Sequence, residues 1–377
     1  MLNYKKIFII SIISIISIIS LPSKTMENKA MSSKKHEENK MQIHTKTIKK
    51  IENLFKKTKK LCFGRYLLNL PNEAELIIGN SEVELFKGGP ESLKNQAEID
   101  LKKIRSLNMS PEIIYNGNGP IENSWQLRYY NSKSAKEDNF IIYRTLINKG
   151  DFIFTIGDAV DNGDTERATA ERQFLQAKSL RLRATEEIPV TPGLCVEHGF
   201  ISENQYKYQE IDDVGIYLPS LPDVTFSISS NKDAYGDYPP TEFESRLRGE
   251  LSLLNRIQDA KKMQGNNYPK RTLLREGKRT VQHWKGEESL IRRTDGVHDF
   301  EWALVGKPKD IANPSVLEVK MYTKVAHNMV GAAEAASLTD EEAIALWDKL
   351  LSGLKFRVKV PGAPPGSYYI DPDKPAQ

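Results

Sequence analysis

Two cysteines and six histidines in 377 residues leave little material for thiol or metal chemistry. The chain has no C-x-x-C, no H-E-x-x-H, no G-x-S-x-G and no G-x-x-x-x-G-K-[ST]. Those absences remove the recognisable dithiol, zinc-peptidase, serine-nucleophile and phosphate-loop chemistries. Basic charge is also scarce where it would count. The formal net charge is +4, but twelve lysines in residues 22–61, with Lys5 and Lys6 ahead of them, account for it. Residues 62–377 hold 40 basic and 46 acidic side chains. A nucleic-acid surface carries its cations on the folded part, so no nucleic-acid partner is expected. Hydrophobic content of 39% beside 28% charge is that of a soluble globular chain, not of a membrane-helix bundle.

What is present begins at the first residues. Lys5-Lys6 precede "IFIISIISIISIISL", an uncharged run closed by Pro22. A basic start and a short apolar core make a secretory signal, and at 1.5 Å per residue the run spans only about 22 Å. No A-x-A-like step follows, so residues 1–23 are either a signal peptide cleaved near Ser20 or Ser23 or an uncleaved N-terminal anchor. Export to the periplasm is expected in both cases. An oxidising compartment permits one disulfide between Cys62 and Cys195; two buried thiols are the alternative.

Residues 24–45 read as a disordered, Lys-rich spacer. From Thr45, "TKTIKKIENLFKK" puts Ile48, Ile51, Leu54 and Phe55 on one helical face, which can dock on its own domain or touch an anionic membrane. Two units then follow. "LCFGRYLLNLPNEAEL" in the first resembles "DVGIYLPSLPDVTFSI" in the second. Each leads to a helix, with Leu93, Ala97, Leu101 and Ile104 as one stripe and Phe243, Leu247, Leu251 and Leu254 as the other; Thr241 and Glu244 form a capping box. Strand-like stretches come next, and each unit closes on a helix, ending "SLRLR" and "GLKFR". The expected fold is α+β: two tandem, similar sandwich domains, each an antiparallel sheet with helices on one face, built by internal duplication. Their bounds are 46–184 and 194–361, with a Pro-containing linker at 185–193 and a Pro-rich tail at 362–377.

The remaining polar clusters point to no chemistry. His298, Asp299 and Glu301 offer ligand atoms, but neighbours on a strand face opposite ways. Asp158, Asp161 and Asp164 lack the spacing and terminal glutamate of a calcium loop. "RRTDG" (Arg292–Gly296) could grip a carboxylate or phosphate, yet Arg-Arg followed by Asp-Gly is also an ordinary hairpin turn, and Cys195 with His198 is too close in sequence to suggest a nucleophile and its base. Neither a metal nor a cofactor is expected, and binding is favoured over catalysis.

"LCFGRYLLNLP", the second "LC" step and "EEAIALWDKLLSGLKFR" resemble type VI secretion immunity proteins, in the branch that protects against lipase effectors of the fourth phospholipase family. The resemblance covers about Leu61 to Pro361. It implies a non-enzymatic periplasmic protein that clamps a cognate lipase effector, one to one, between two α+β domains and keeps its lid closed. Contact residues are not carried by these motifs, so candidates rest on composition: Tyr235 and Tyr238 on a polar loop, Trp284 and Arg292 near an insertion, and Tyr115, Asn118 and Trp125 in the first domain. The alternative is a periplasmic or membrane-anchored module that binds lipid or another envelope component, associated with the membrane through its N-terminus.

Overall fold

A computed structural model describes residues 49–160, 165–206, 209–232, 252–307, 309–324 and 335–370. Lys50–Gln377 form one compact unit. Its first half runs through β1 (Thr58–Phe63), β2 (Tyr66–Pro71), β3 (Glu75–Ser81), β4 (Val83–Lys87), α1 (Leu93–Arg105), β5 (Glu112–Asn118), β6 (Ser124–Tyr130), the short α2 (Lys133–Glu137), β7 (Ile142–Lys149), β8 (Phe152–Ala159), α3 (Glu166–Ser179) and β9 (Leu180–Leu182). The second half runs through β10 (Gly193–Val196), β11 (Gly199–Ser202), β12 (Glu210–Tyr217), β13 (Thr225–Lys232), α4 (Leu253–Gln264), β14 (Arg271–Val281), β15 (Trp284–Arg293), β16 (His298–Val305), β17 (Val316–Tyr322), α5 (Asp340–Ser352) and β18 (Leu354–Phe356). Apart from α2 and the short Lys-rich helix at 49–54, the described elements of both halves read four strands, helix, four strands, helix, strand. The helix starts have chemical causes: the Thr165 hydroxyl accepts from Ala168 N, and Thr339 with Glu342 forms a complete capping box. Of the stripe expected around residue 250, only Leu254 is among the described residues; Phe243, Leu247, Leu251 and the Thr241–Glu244 box lie outside them.

Two large antiparallel sheets carry the fold. One has five strands in the order β4-β8-β7-β6-β5, the other seven in the order β14-β15-β16-β17-β13-β12-β3. The shared pattern β4-β8-β7-β6-β5 and β13-β17-β16-β15-β14 repeats strand for strand. The Leu-Pro steps, however, do not stand at equivalent places: Pro71 ends β2, whereas Pro222 lies in the turn between β12 and β13. The positions that do correspond are the two Leu-Cys steps, each in the first strand of its half.

The halves do not sit side by side as separate sandwiches. β3 belongs to the seven-stranded sheet, where it pairs with β12. The reason is a loop length. Seven residues separate β12 from β13 and let them form a hairpin, but Glu82 alone separates β3 from β4. One residue cannot reverse an antiparallel pair, so the chain runs on from one sheet into the other. The end strands are exchanged too: β1-β2 takes β18 as its third strand, and β10-β11 takes β9. The helices of the five-stranded sheet also cover both faces, not one. Leu93 and Ala97 of α1 pack on Leu146 and Ile153, and Ala177 of α3 packs on Ile147, Phe154 and Ile156.

The main core lies between the seven-stranded sheet, α5 and the β1-β2-β18 sheet, and is filled by Trp284, Trp302, Trp347, Phe226, Phe300, Phe356 and Tyr66. Ile51, Leu54 and Phe55 of the Lys-rich helix pack on this same core.

Candidate functional site

The seam where the halves meet is built from residues that follow the two cysteines. Cys62 and Cys195 form a disulfide, and Gly64 and Cys195 exchange backbone hydrogen bonds of 2.8 Å in both directions. Gly64 has φ +46°, and a Cβ there would lie 2.1 Å from Asp212 Oδ2, so the position requires glycine. The next residue, Arg65, is buried and donates from Nε to Glu210 Oε2 at 2.8 Å and from Nη2 to Glu210 Oε1 at 2.8 Å. It also pairs with Glu203, while Lys232 stands 3.6 Å from Glu210. Two cations therefore face two carboxylates, as burial of charge demands. Asp212, two residues along β12 from Glu210, is pushed up to about 8 by burial and by Glu210.

Arg183 and Arg357, the last residues of "SLRLR" and "GLKFR", bracket the linker. Arg183 donates to the carbonyls of Glu187 and Val196, each at 3.1 Å. Arg357 donates to Thr191 O at 3.0 Å and Gly193 O at 2.8 Å. Burial, with Arg65 and Arg183 nearby, holds the Arg357 guanidinium down to about 9. The linker is thus pinned by two guanidinium groups, one from the end of each half.

Beside the seam opens a crevice of about 470 Å³, at the point where Glu82 carries the chain between sheets. Val83, Ile156, Leu194 and Ile201 give it apolar walls, and Asp158 and Arg172 add charge. Arg172 Nε holds Asp158 Oδ2 at 2.9 Å. Glu82 is half-buried and is pushed up to about 7 by desolvation and by Asp158. The crevice is shaped to take an apolar side chain together with a cationic one.

The residues singled out from composition do not converge on one place. Tyr115, Asn118 and Trp125 come together on the β5–β6 hairpin: Tyr115 donates to Asn118 O at 2.8 Å, and Asn118 is the register partner of Trp125. Tyr115 is exposed on the edge strand, whereas Trp125 packs beneath α1 against Leu93 and Leu101. Arg292 belongs to the other sheet, on β15, where it pairs with Asp340 at 3.1 Å. Trp284 is a correction. It is fully buried, its indole donates to Ala312 O at 2.8 Å, and it packs on Phe356 and Tyr66. As the first residue of β15 it points into the core, so it anchors the fold and not a partner. Tyr235 and Tyr238 lie outside the described residues, as do Asp161 and Asp164.

His298 and Asp299 diverge as the strand period requires: His298 is buried between Thr323 and Asp340, and Asp299 faces Arg293. His198 stacks on Phe152 at 4.7 Å. Among the described residues no group of three or more His, Cys, Asp or Glu is placed to hold a metal, and no helix is long and apolar enough to cross a membrane. Sequence reasoning missed Arg65, Glu203 and Glu210. The one signal for such a site was the arginine repeated at the end of each half.

Two sheets joined by the direct run of β3 into β4, a disulfide and a buried ionic cluster, with a crevice beside the join, define a pre-organised binding scaffold. The chain belongs to the Tle cognate immunity protein family: residues 59–188 match the model of the Tle cognate immunity protein 4 N-terminal domain, and residues 187–359 that of its C-terminal domain. Solved structures agree on the fold. The apo immunity protein TplEi of the T6SS of Pseudomonas aeruginosa is 21% identical with a TM-score of 0.57, over 80% of this chain and 97% of that one. The same protein complexed with "L" peptide gives 22% and 0.56, over 80% and 98%. The Tle4–Tli4 complex contains a chain 23% identical with a TM-score of 0.59, over 80% and 97%. No curated protein matches the sequence.

Proposed function

We propose that this protein is a periplasmic immunity protein that binds and inhibits a lipase effector of a type VI secretion system, without catalytic activity of its own. The observation that carries the reading is the match of both halves, in order, to the two domain models of one immunity family. The solved Tle4–Tli4 complex is an assembly of a related fold. We place side chains of the effector in the crevice at Glu82, with the effector clamped against the two sheets and its lid held shut. The halves need not move to do this, because β3, the disulfide and the pinned linker hold them. Inhibition then comes from tighter binding to the closed-lid effector than to the open one, at a low ordering cost for the inhibitor.

The test is a pull-down from the producing strain, followed by a lipase assay with added protein. Capture of one stoichiometric lipase whose activity falls on titration is expected. Glu82→Arg should weaken inhibition about thirtyfold, as loss of an interface anchor does, with an unchanged melting temperature. An undiminished Glu82→Arg variant would remove the crevice from the mechanism and leave the immunity reading. Failure to capture any lipase would remove both.

A further inference from the structure

The compact unit carries a basic and apolar surface at its N-terminal entry, and we infer that this surface seats the protein on an anionic phospholipid membrane. Ile51 is buried and Leu54 and Phe55 pack on the core, which turns Lys50, Lys56 and Lys57 outward. Lys60, exposed at the start of β1, lies over the Tyr369 ring at 5.0 Å. Tyr369 is tied to β18 by a hydrogen bond from its N to Phe356 O of 2.9 Å. Ile370, next in the chain, is 59% exposed. A lysine over an aromatic ring, a bare aliphatic side chain beside it and three more exposed lysines close by in the chain are the composition of a membrane-surface contact, where cations meet headgroups and the apolar groups enter the acyl boundary. Acidic residues do not cancel it: Glu52 is exposed, Asp371 follows Ile370 in the chain, and Glu342 is taken up by the α5 capping box and by Lys50 at 3.6 Å, against the four lysines.

Chain order supplies the second argument. The apolar run Ile7–Leu21 precedes this surface, and residues 22–49 lie between. Even fully extended those residues reach at most about 100 Å. Any membrane attachment through the run would keep the compact unit within that distance of the bilayer. The inference does not depend on the identity of an effector, since none of these residues lines the crevice.

The test is co-sedimentation with vesicles of phosphatidylcholine and phosphatidylglycerol, using the chain without residues 1–23, which retains the whole compact unit. Binding should appear with these vesicles, be absent with phosphatidylcholine alone, and fall between about 50 and about 500 mM salt. Lys56→Gln/Lys57→Gln/Lys60→Gln should lower partitioning about 100-fold, roughly fivefold per lysine. Ile370→Ser should lower it about fivefold. All of these side chains are at the surface, and an unchanged melting temperature establishes folding. The spacer is the competitor: neutralising its five lysines at 24, 29, 34, 35 and 40, together with Lys46 just after it, should leave a salt-sensitive remainder that the patch variant lacks. Vesicle binding that vanishes with the spacer lysines and ignores the patch would overturn the proposal. So would equal binding to phosphatidylcholine alone.

Discussion

The two large sheets repeat one strand order but are filled differently. The seven-stranded sheet rests on one continuous apolar core with three fully buried tryptophans, Trp284, Trp302 and Trp347. The five-stranded sheet has small, separate apolar clusters, and α3 buries Thr169 and Gln173 against it. Among the described residues neither side-chain polar atom of Gln173 has a hydrogen-bond partner, an arrangement that costs about 1–3 kcal/mol. The difference shows that an order of elements can be kept while the source of stability moves. The five-stranded half draws its support from the seam, through exchanged β9, the disulfide and β3.

The contrast can be broken at its strongest point first. Trp347→Ala should cost about 3–5 kcal/mol and lower the whole unfolding transition. Leu146→Ala in the other half falls in the range of about 2–5 kcal/mol by the same rule, and its small cluster favours the low end; equal losses in chemical denaturation would erase the asymmetry. Next is the staple. Replacing Cys62 and Cys195 with serine removes a cross-link over 133 residues and should cost about 2–4 kcal/mol. Hydrogen exchange should then rise more in β7 and β8 than in β16 and β17. Uniform exchange would mean that the seam does not support the weaker half.

A smaller gain should come from Gln173→Leu, which removes the unpaired amide and stabilises by about 1 kcal/mol. A loss on thermal melting would show that the amide is satisfied in solution. The least effect concerns pH. Asp212, at about 8 in the fold, holds its proton where the unfolded carboxyl has already lost it. Stability from this site is therefore full below about pH 4 and declines as pH rises toward 8. Asp212→Asn should match the parent at pH 4 and melt a few degrees higher at pH 8. Parallel pH profiles would place the proton elsewhere.

The α+β class and most strands were legible, because alternation in "SWQLRYY" or "DFIFTIGDA" and the cap at Thr339 are local signals. The exchange of strands was not. It depends on Glu82 being too short a connection for a hairpin, a fact that gains meaning only once β12 is available as a partner. Trp284 was misread because an aromatic residue beside a turn suits an interface and a core equally, and only the facing Phe356 and Tyr66 decide. Arg65 was missed because its partners lie 138 and 145 residues away. The Glu82 crevice has no motif at all, since its walls come from four separate elements.

The pairing of β2 with β18 has a consequence for assembly. The hairpin made first, at residues 58–71, finds its third strand only at residues 354–356, the last strand of the unit. Closing so long a loop is slow, because its entropy is lost before the contact is gained. A chain cut short before Leu354 would lack the strand that completes its opening sheet. The first and the last described strands of the compact unit are committed to one sheet, and neither half can be made final until the other is complete.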